Sequence, residues 1–176
     1  MRVILYGLTG LGNIVLEELL KNKAKVLYVS TRLEKKTYPY FNCESIDNLC
    51  KKYSIPFSYD KTFYDSDCDI IISATYHKKI DLTKSNYKLA INMHPSFLPH
   101  LKGRDPIKEA LESKVQNLGL STHLLTNRFD EGKILYQDKI NFTENDNKTD
   151  IINRLIPLFK RHINLIIKNY QKHKEA

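Results

Sequence analysis

Two side chains at the end of one apolar run have types suited to chemistry. In AINMHPSFLPHLKGRDP, residues 90–106, Asn92 and His94 stand two positions apart. In a strand that spacing projects both from one face. A carboxamide donates N–H groups, and an imidazole exchanges protons near neutral pH because its reference pKa is about 6.5. Pro95, Pro99 and Pro106 then fix φ along the following chain, which lowers the entropy cost of holding it in place, and Gly103 supplies a permissive turn. The pattern fits a preorganised site. A polar strand end followed by an ordinary turn would use the same residue types.

A second feature is GLTGLGN, which sets Gly7, Gly10 and Gly12 between a strand-like and a helix-like segment. Backbone there can approach a phosphate, and a helix N-terminus favours negative charge. The order is not the dinucleotide G-x-G-x-x-G, and Ser30, Thr31 and Arg32 stand where an acidic ribose acceptor would end the second strand. A structural tight turn and a turn that also touches a ligand's phosphates both fit.

Strands and helices must position these groups. RVILYG (2–7) and AKVLYVST (24–31) read as buried strands around the helix LGNIVLEELLKN (11–22), whose leucines recur at helical spacing. Residues 32–43 read as a surface loop, 43–55 as a helix ended by Pro56, and 57–59 as a short strand. CDIIISAT (68–75) and YKLAINMH (87–94) read as central strands, and 104–113 as a helix with Pro106 near its first turn. Residues 119–126 and 133–142 are strands joined by NRFDEG. From Asn147 a long amphipathic helix follows, which Pro157 should kink or split. Strand–helix–strand units with right-handed crossovers predict an α/β fold: a single Rossmann-like domain over 1–176, with a mostly parallel twisted sheet flanked by helices and a long C-terminal helix.

Composition excludes several classes. With 176 residues, 41% hydrophobic and 27% charged, this is an ordinary globular balance. No apolar run reaches the ~18 residues that span a bilayer, so no membrane partner is expected. Cys43, Cys50 and Cys68 lack metal-ligand spacing, and Met1-Arg2 runs straight into a strand, so a cytoplasmic protein with reduced thiols and no metal is expected. The net charge of +8 comes from scattered lysines, dense only in the tail KNYQKHKEA, and does not by itself choose among nucleic acid, a membrane surface and a small anionic substrate. With Tyr6 and Tyr28 in core-like positions rather than on an aromatic platform, a nucleic-acid partner is not expected.

HPSFLP and GLSTHLLTNRFDEGKI together resemble the 10-formyltetrahydrofolate-dependent formyltransferases, a family that includes sugar N-formyltransferases, glycinamide ribonucleotide formyltransferase and methionyl-tRNA formyltransferase. Asn92, His94, Ser96, Leu98, Pro99 and Gly103 fill one part of the family pattern; Gly119, Ser121, His123, Asp130, Gly132 and Ile134 fill the other. The resemblance implies that Asn92, His94 and Asp130 form a catalytic triad using 10-formyltetrahydrofolate as co-substrate. A substrate amine would attack the formyl carbon, Asn92 and protonated His94 would donate to the developing oxyanion, and Asp130 would position the imidazole, raise its pKa or relay a proton.

The resemblance further implies a folate pocket lined by Ser73, Tyr76, His77 and Ile80, with Asn127 and Phe129 near the pterin ring. It implies substrate contacts at Gly10, Gly12, Asn13, Gly103 and Arg104. Ser96 is expected to brace its turn through the backbone, while strand phase leaves open whether His123 faces the site or the core. GRDP is closer to the Gly-Arg-x-Pro of the sugar and tRNA branches, so a nucleotide-linked aminosugar is the expected acceptor and a homodimer is allowed for. Glycinamide ribonucleotide is the alternative acceptor, followed by methionyl-tRNA. A non-catalytic folate-binding relative is the alternative outside the enzyme class.

Overall fold

The computed structural model describes residues 1–33, 43–64 and 67–175, so most of the loop expected at 32–43 lies outside the described residues. The described elements run β1 (Arg2–Gly7), α1 (Leu11–Lys21), β2 (Lys25–Thr31), α2 (Ile46–Lys52), β3 (Phe57–Tyr59), β4 (Ile70–Ala74), β5 (Leu89–His94), α3 (Pro106–Ser113), β6 (Gly119–Leu124), β7 (Ile134–Lys139) and α4 (Lys148–Glu175). They build one sheet in the order β3-β2-β1-β4-β5-β6-β7. The pairs β1–β2, β1–β4, β2–β3 and β4–β5 are parallel, and β5–β6 and β6–β7 are antiparallel. This is the expected mostly parallel α/β sheet with a long C-terminal helix.

Alternation along the strands separates two apolar clusters. Val3, Leu5, Ile70, Ile72, Ile91 and Met93 face the side where all four helices pack. Burying each such side chain is worth roughly 1.5–3 kcal/mol. Ile4, Tyr6, Ile71 and Ala90 face the other side, whose cluster holds strand and loop residues such as Phe63, Tyr76, Ile80 and Leu125 and, among the described residues, no helical ones. A face covered by loops can be opened into a cavity without removing a helix. Asn92 and His94 continue the register of Ala90 and lie on that face.

Several strands are a few residues shorter than expected, and three features of the helices differ from expectation for local reasons. α2 stops at Lys52 because Ser54 adopts a left-handed φ of 53°. The Ile55 N–H donates to the Cys50 carbonyl and the Ser54 N–H to that of Lys51, a Schellman closure made without glycine. α3 starts at Pro106, since the Asp105 carboxylate accepts from the Lys108 N–H and caps it. Arg104 therefore sits in the preceding turn. Pro157 does not split α4. Its ring lies on the exposed side between buried Leu155 and Phe159, where the carbonyl it leaves unbonded can meet water.

α4 is clipped to the sheet by one buried histidine. His162 places Nδ1 2.8 Å from the Thr122 hydroxyl of β6 and Nε2 2.8 Å from the Asp138 carboxylate of β7, which Arg161 also pairs. Thr122 points toward the helices, so its neighbours Ser121 and His123 point toward the face that bears Asn92 and His94.

Candidate active site

β5 delivers Asn92 and His94 to its carboxyl end, with Ser73 of β4 and His123 of β6 both in register with Asn92. The chain after His94 is held by a small hydroxyl network. Ser96 Oγ donates to the His100 carbonyl, Ser121 Oγ donates to the Ser96 carbonyl, and the Leu98 N–H and Gln137 Nε2 donate to Ser121 Oγ. Four polar groups therefore fix the turn that the prolines already restrict.

Asp130 arrives from the segment between β6 and β7. That segment lies tight against β6: the Leu124 N–H donates to the Lys133 carbonyl, and a Cβ at Gly132 would stand 1.8 Å from the Leu124 oxygen. Only glycine permits that approach. Asp130 itself takes a left-handed φ of 54°, which aspartate tolerates better than most side chains. Its Oδ2 accepts the Gly103 N–H at 3.0 Å, and Gly103 has φ 112°. A Cβ at Gly103 would meet nothing, so its glycine character serves backbone conformation alone.

The three expected residues meet around one carboxylate oxygen. Asn92 Nδ2 donates to Asp130 Oδ1 at 3.2 Å, and His94 Nδ1 stands 3.6 Å from the same oxygen, close in charge but too far for a formed hydrogen bond. His94 Nε2 lies 2.9 Å from the Leu101 carbonyl. A carbonyl only accepts, so Nε2 bears the hydrogen and Nδ1 presents its lone pair to the site. His123 is the residue whose orientation the sequence left open. It faces the site, with Nε2 3.2 Å from Asn92 Nδ2 and 3.4 Å from Asp130 Oδ1, while its Nδ1–H donates to its neighbour Leu124's carbonyl.

Burial sets the protonation of His94. It holds the imidazole pKa below its ordinary value, although Asp130 and the Leu101 carbonyl pull upward and His123 adds to the lowering. Asp130 thus exerts the upward influence expected of it, and burial outweighs it. At neutral pH His94 is a neutral base, not a protonated donor. Burial pushes the Asp130 carboxyl up, but the neighbouring His123 and His94 rings and the Gly103 N–H outweigh it, so Asp130 is held below the usual carboxylate range.

These residues line a cavity of about 590 Å³ whose walls come from residues 75–80, Leu82 and residues 125–130. Ser73, Tyr76, His77, Ile80, Asn127, Phe129, Gly103 and Arg104 all line it beside Asn92, His94 and Asp130. Thr75, Lys78 and Arg128 also line it, and no sequence signal had singled them out. His77 places Nε2 3.1 Å from Asp60, and burial lowers its pKa against the pull of that carboxylate. A second recess of about 270 Å³ adjoins the first, sharing Thr75, His77, Pro95, Arg104 and Pro106, with Arg32 and Lys148 in its wall.

Gly10, Gly12 and Asn13 line neither space. The Asn13 carboxamide is spent inside the turn, accepting the Gly10 N–H and donating to the Glu44 carbonyl, and Gly12 packs on Gly7. From this turn Leu8, Thr9 and Leu11 reach the second recess instead. Among the described residues no His, Cys, Asp or Glu group has a metal-holding arrangement, and no helix is long and apolar enough to cross a membrane.

The formyl transferase family model matches residues 15–165. The chain belongs to that family. It is 32% identical over 123 residues to the formyltetrahydrofolate deformylase of Bacillus subtilis, covering 60% of this chain and 41% of that protein. Across the first curated relatives the chain spans less than two thirds of their length. Its fold superposes on the N-formyltransferase of Helicobacter canadensis, solved with folinic acid and dTDP-3-aminofucose, with TM-score 0.75 and 22% identity over 96% of this chain and 65% of that one. The phosphoribosylglycinamide formyltransferase of Streptococcus pneumoniae gives TM-score 0.70 at 16% identity, covering 97% and 99%. At these identities the two structures establish the fold of this formyl transferase family member.

Proposed function

We propose that this chain is a single catalytic domain that transfers a formyl group from 10-formyltetrahydrofolate to the primary amine of a nucleotide-linked aminosugar. The observation that supports it most is the convergence of Asn92, His94 and Asp130 on one wall of the larger cavity. Attack of the amine on the formyl carbon gives a tetrahedral centre with a negatively charged oxygen. An Asn92 N–H donates to that oxygen, an interaction whose loss typically costs roughly 10²–10³ in rate. His94 Nδ1 takes a proton from the attacking nitrogen and returns it to the departing folate nitrogen. Asp130 offsets the charge on the imidazole while it holds that proton.

The adjoining recess supports the choice of acceptor class. Arg104 lines both spaces, and Arg32 and Lys148 stand in the second wall with one carboxylate, Asp105, which pairs Lys148 at 3.5 Å. Three cations against one anion suit a diphosphate next to the reacting amine. The complex of the Helicobacter canadensis protein supports the same choice. Glycinamide ribonucleotide, with one phosphate, is the next acceptor to consider and methionyl-tRNA the last. Similarity to the Bacillus subtilis deformylase supports a second reading in which water accepts the formyl group and formate is released.

One assay separates these readings. The protein is incubated with 10-formyltetrahydrofolate and, in turn, dTDP-3-aminofucose, glycinamide ribonucleotide, methionyl-tRNA or buffer alone, while tetrahydrofolate and formate are followed. Amine-dependent tetrahydrofolate release without formate is the expected result. Formate release in buffer alone would favour hydrolysis. Binding of folate without turnover on any acceptor would favour a non-catalytic relative and sink the proposal.

A further inference from the structure

The carboxamide at the centre of this site must point one way, and the family resemblance of Asn92, His94 and Asp130 does not say what sets that direction. Asn92 Nδ2, Asp130 Oδ1 and His123 Nε2 form a nearly equilateral triangle with sides of 3.2, 3.2 and 3.4 Å. The two acceptors therefore subtend about 60° at the nitrogen, whereas the two hydrogens of a planar carboxamide diverge by about 120°. Both hydrogens cannot point squarely at both acceptors. One N–H between the two acceptors satisfies the triangle as a three-centre bond, and the other is then directed away from both.

We propose that His123 is a positioning residue for the transfer reaction: by sharing one Asn92 hydrogen with Asp130, it holds the carboxamide so that its second hydrogen is presented to the oxygen of the tetrahedral centre. The inference rests on the formyl-transfer reading above. His123 is equipped for the task. Its Nδ1–H is tied to the Leu124 carbonyl at 2.9 Å, which leaves Nε2 as a lone-pair acceptor, and the side chain is 2% exposed. Cross-strand register holds it opposite Asn92. The reversed amide, with Oδ1 toward Asp130 and His123, would set three acceptors against one another with no hydrogen between them. His123 and Asp130 together exclude that orientation, and the N–H aimed at the reaction survives.

The role makes His123 act only through Asn92, so the test is a double-mutant cycle. His123→Leu, Asn92→Ala and the pair are assayed for tetrahydrofolate release from 10-formyltetrahydrofolate with dTDP-3-aminofucose, glycinamide ribonucleotide and buffer as acceptors. Folinic acid binding is measured on each protein. His123→Leu is expected to lower kcat about 10- to 100-fold with little change in folinic acid affinity, and to cost little more once Asn92 is already Ala. His123→Gln can offer its carbonyl oxygen to the same hydrogen and is expected to regain most of the lost rate. That rescue also shows that a loss in His123→Leu is not misfolding. Additive losses in the cycle, equal losses in His123→Leu and His123→Gln, or a loss confined to folinic acid affinity would each overturn the role. A wild-type protein that releases no tetrahydrofolate with any acceptor would overturn the reaction itself, whereas active wild type with unimpaired His123→Leu would overturn the positioning role alone.

Discussion

Asp130 tests the site at the scale of a residue because one oxygen serves two partners. Replacing it with Asn keeps the shape and one acceptor oxygen but removes the charge that faces His94 at 3.6 Å, and its NH2 must then face either the Asn92 N–H or the Gly103 N–H, both donors. Asp130→Asn is expected to lower kcat by roughly 10²–10⁴, the usual span for a group that supports acid–base transfer. The pH profile gives a second readout. His94 must be neutral to take a proton, so wild-type kcat/KM is expected to fall as pH drops through its pKa, which burial holds below the ordinary histidine value. Asp130 pulls that pKa upward, so the variant's acid limb should move to lower pH. A limb that moves up would place the controlling charge elsewhere. At this scale Asn92 and His94 were legible because their spacing and the prolines after them are local. The orientation of His123 was not, because it depends on the register of β5 against β6, which neither strand states by itself.

At the scale of an element, the segment from β6 to β7 is what makes a triad of residues far apart in sequence. Its course depends on Gly132, where an added methyl would collide with the Leu124 backbone oxygen. Gly132→Ala must push residues 130–132 away from β6. The expected loss is about 1–3 kcal/mol of stability together with a fall in kcat, because Asp130 leaves the reach of Asn92. Urea unfolding and turnover of the same variant check the pair of effects; lost stability with unchanged turnover would show that Asp130 does not depend on this contact. The glycine and the aspartate were both visible in DEG, yet the reason for the glycine is a backbone contact that only the folded hairpin creates. Similar reasoning covers the misread boundaries. α2 ends at a left-handed serine, so no glycine announces it, and Pro157 sits where one missing N–H faces water, so a residue that usually interrupts a helix is accommodated.

At the scale of the whole molecule, the alternating apolar strands foretold the parallel sheet, while the assignment of all described helices to one face came from packing. That asymmetry leaves the chemistry on a face covered by loops, and it buries histidines on both sides. His77, His94 and His162 each have a pKa held below the ordinary value, with burial the largest cause in all three. Once unfolded, each titrates near ~6.5. Below that pH the unfolded chain binds protons that the folded chain refuses, so stability is lost as pH falls from about 6.5 toward the lower folded values. Each histidine contributes up to about 1.4 kcal/mol per pH unit while the difference persists. Asp69, Asp130 and Asp138 act with the same sign at lower pH. Their folded pKa values are depressed, so the stability they contribute is present above about 3.9 and disappears as pH falls through those values. Thermal unfolding between pH 8 and pH 3 should therefore show two descents, one starting near pH 6.5 and one below about pH 4. His162→Gln can keep hydrogen bonds to Thr122 and Asp138 but cannot titrate, so it should shallow the first descent and leave the second in place. A wild-type curve flat from pH 8 to pH 5 would mean that the folded molecule accommodates charged imidazoles, and neutral His94 as the resting base would fall with it.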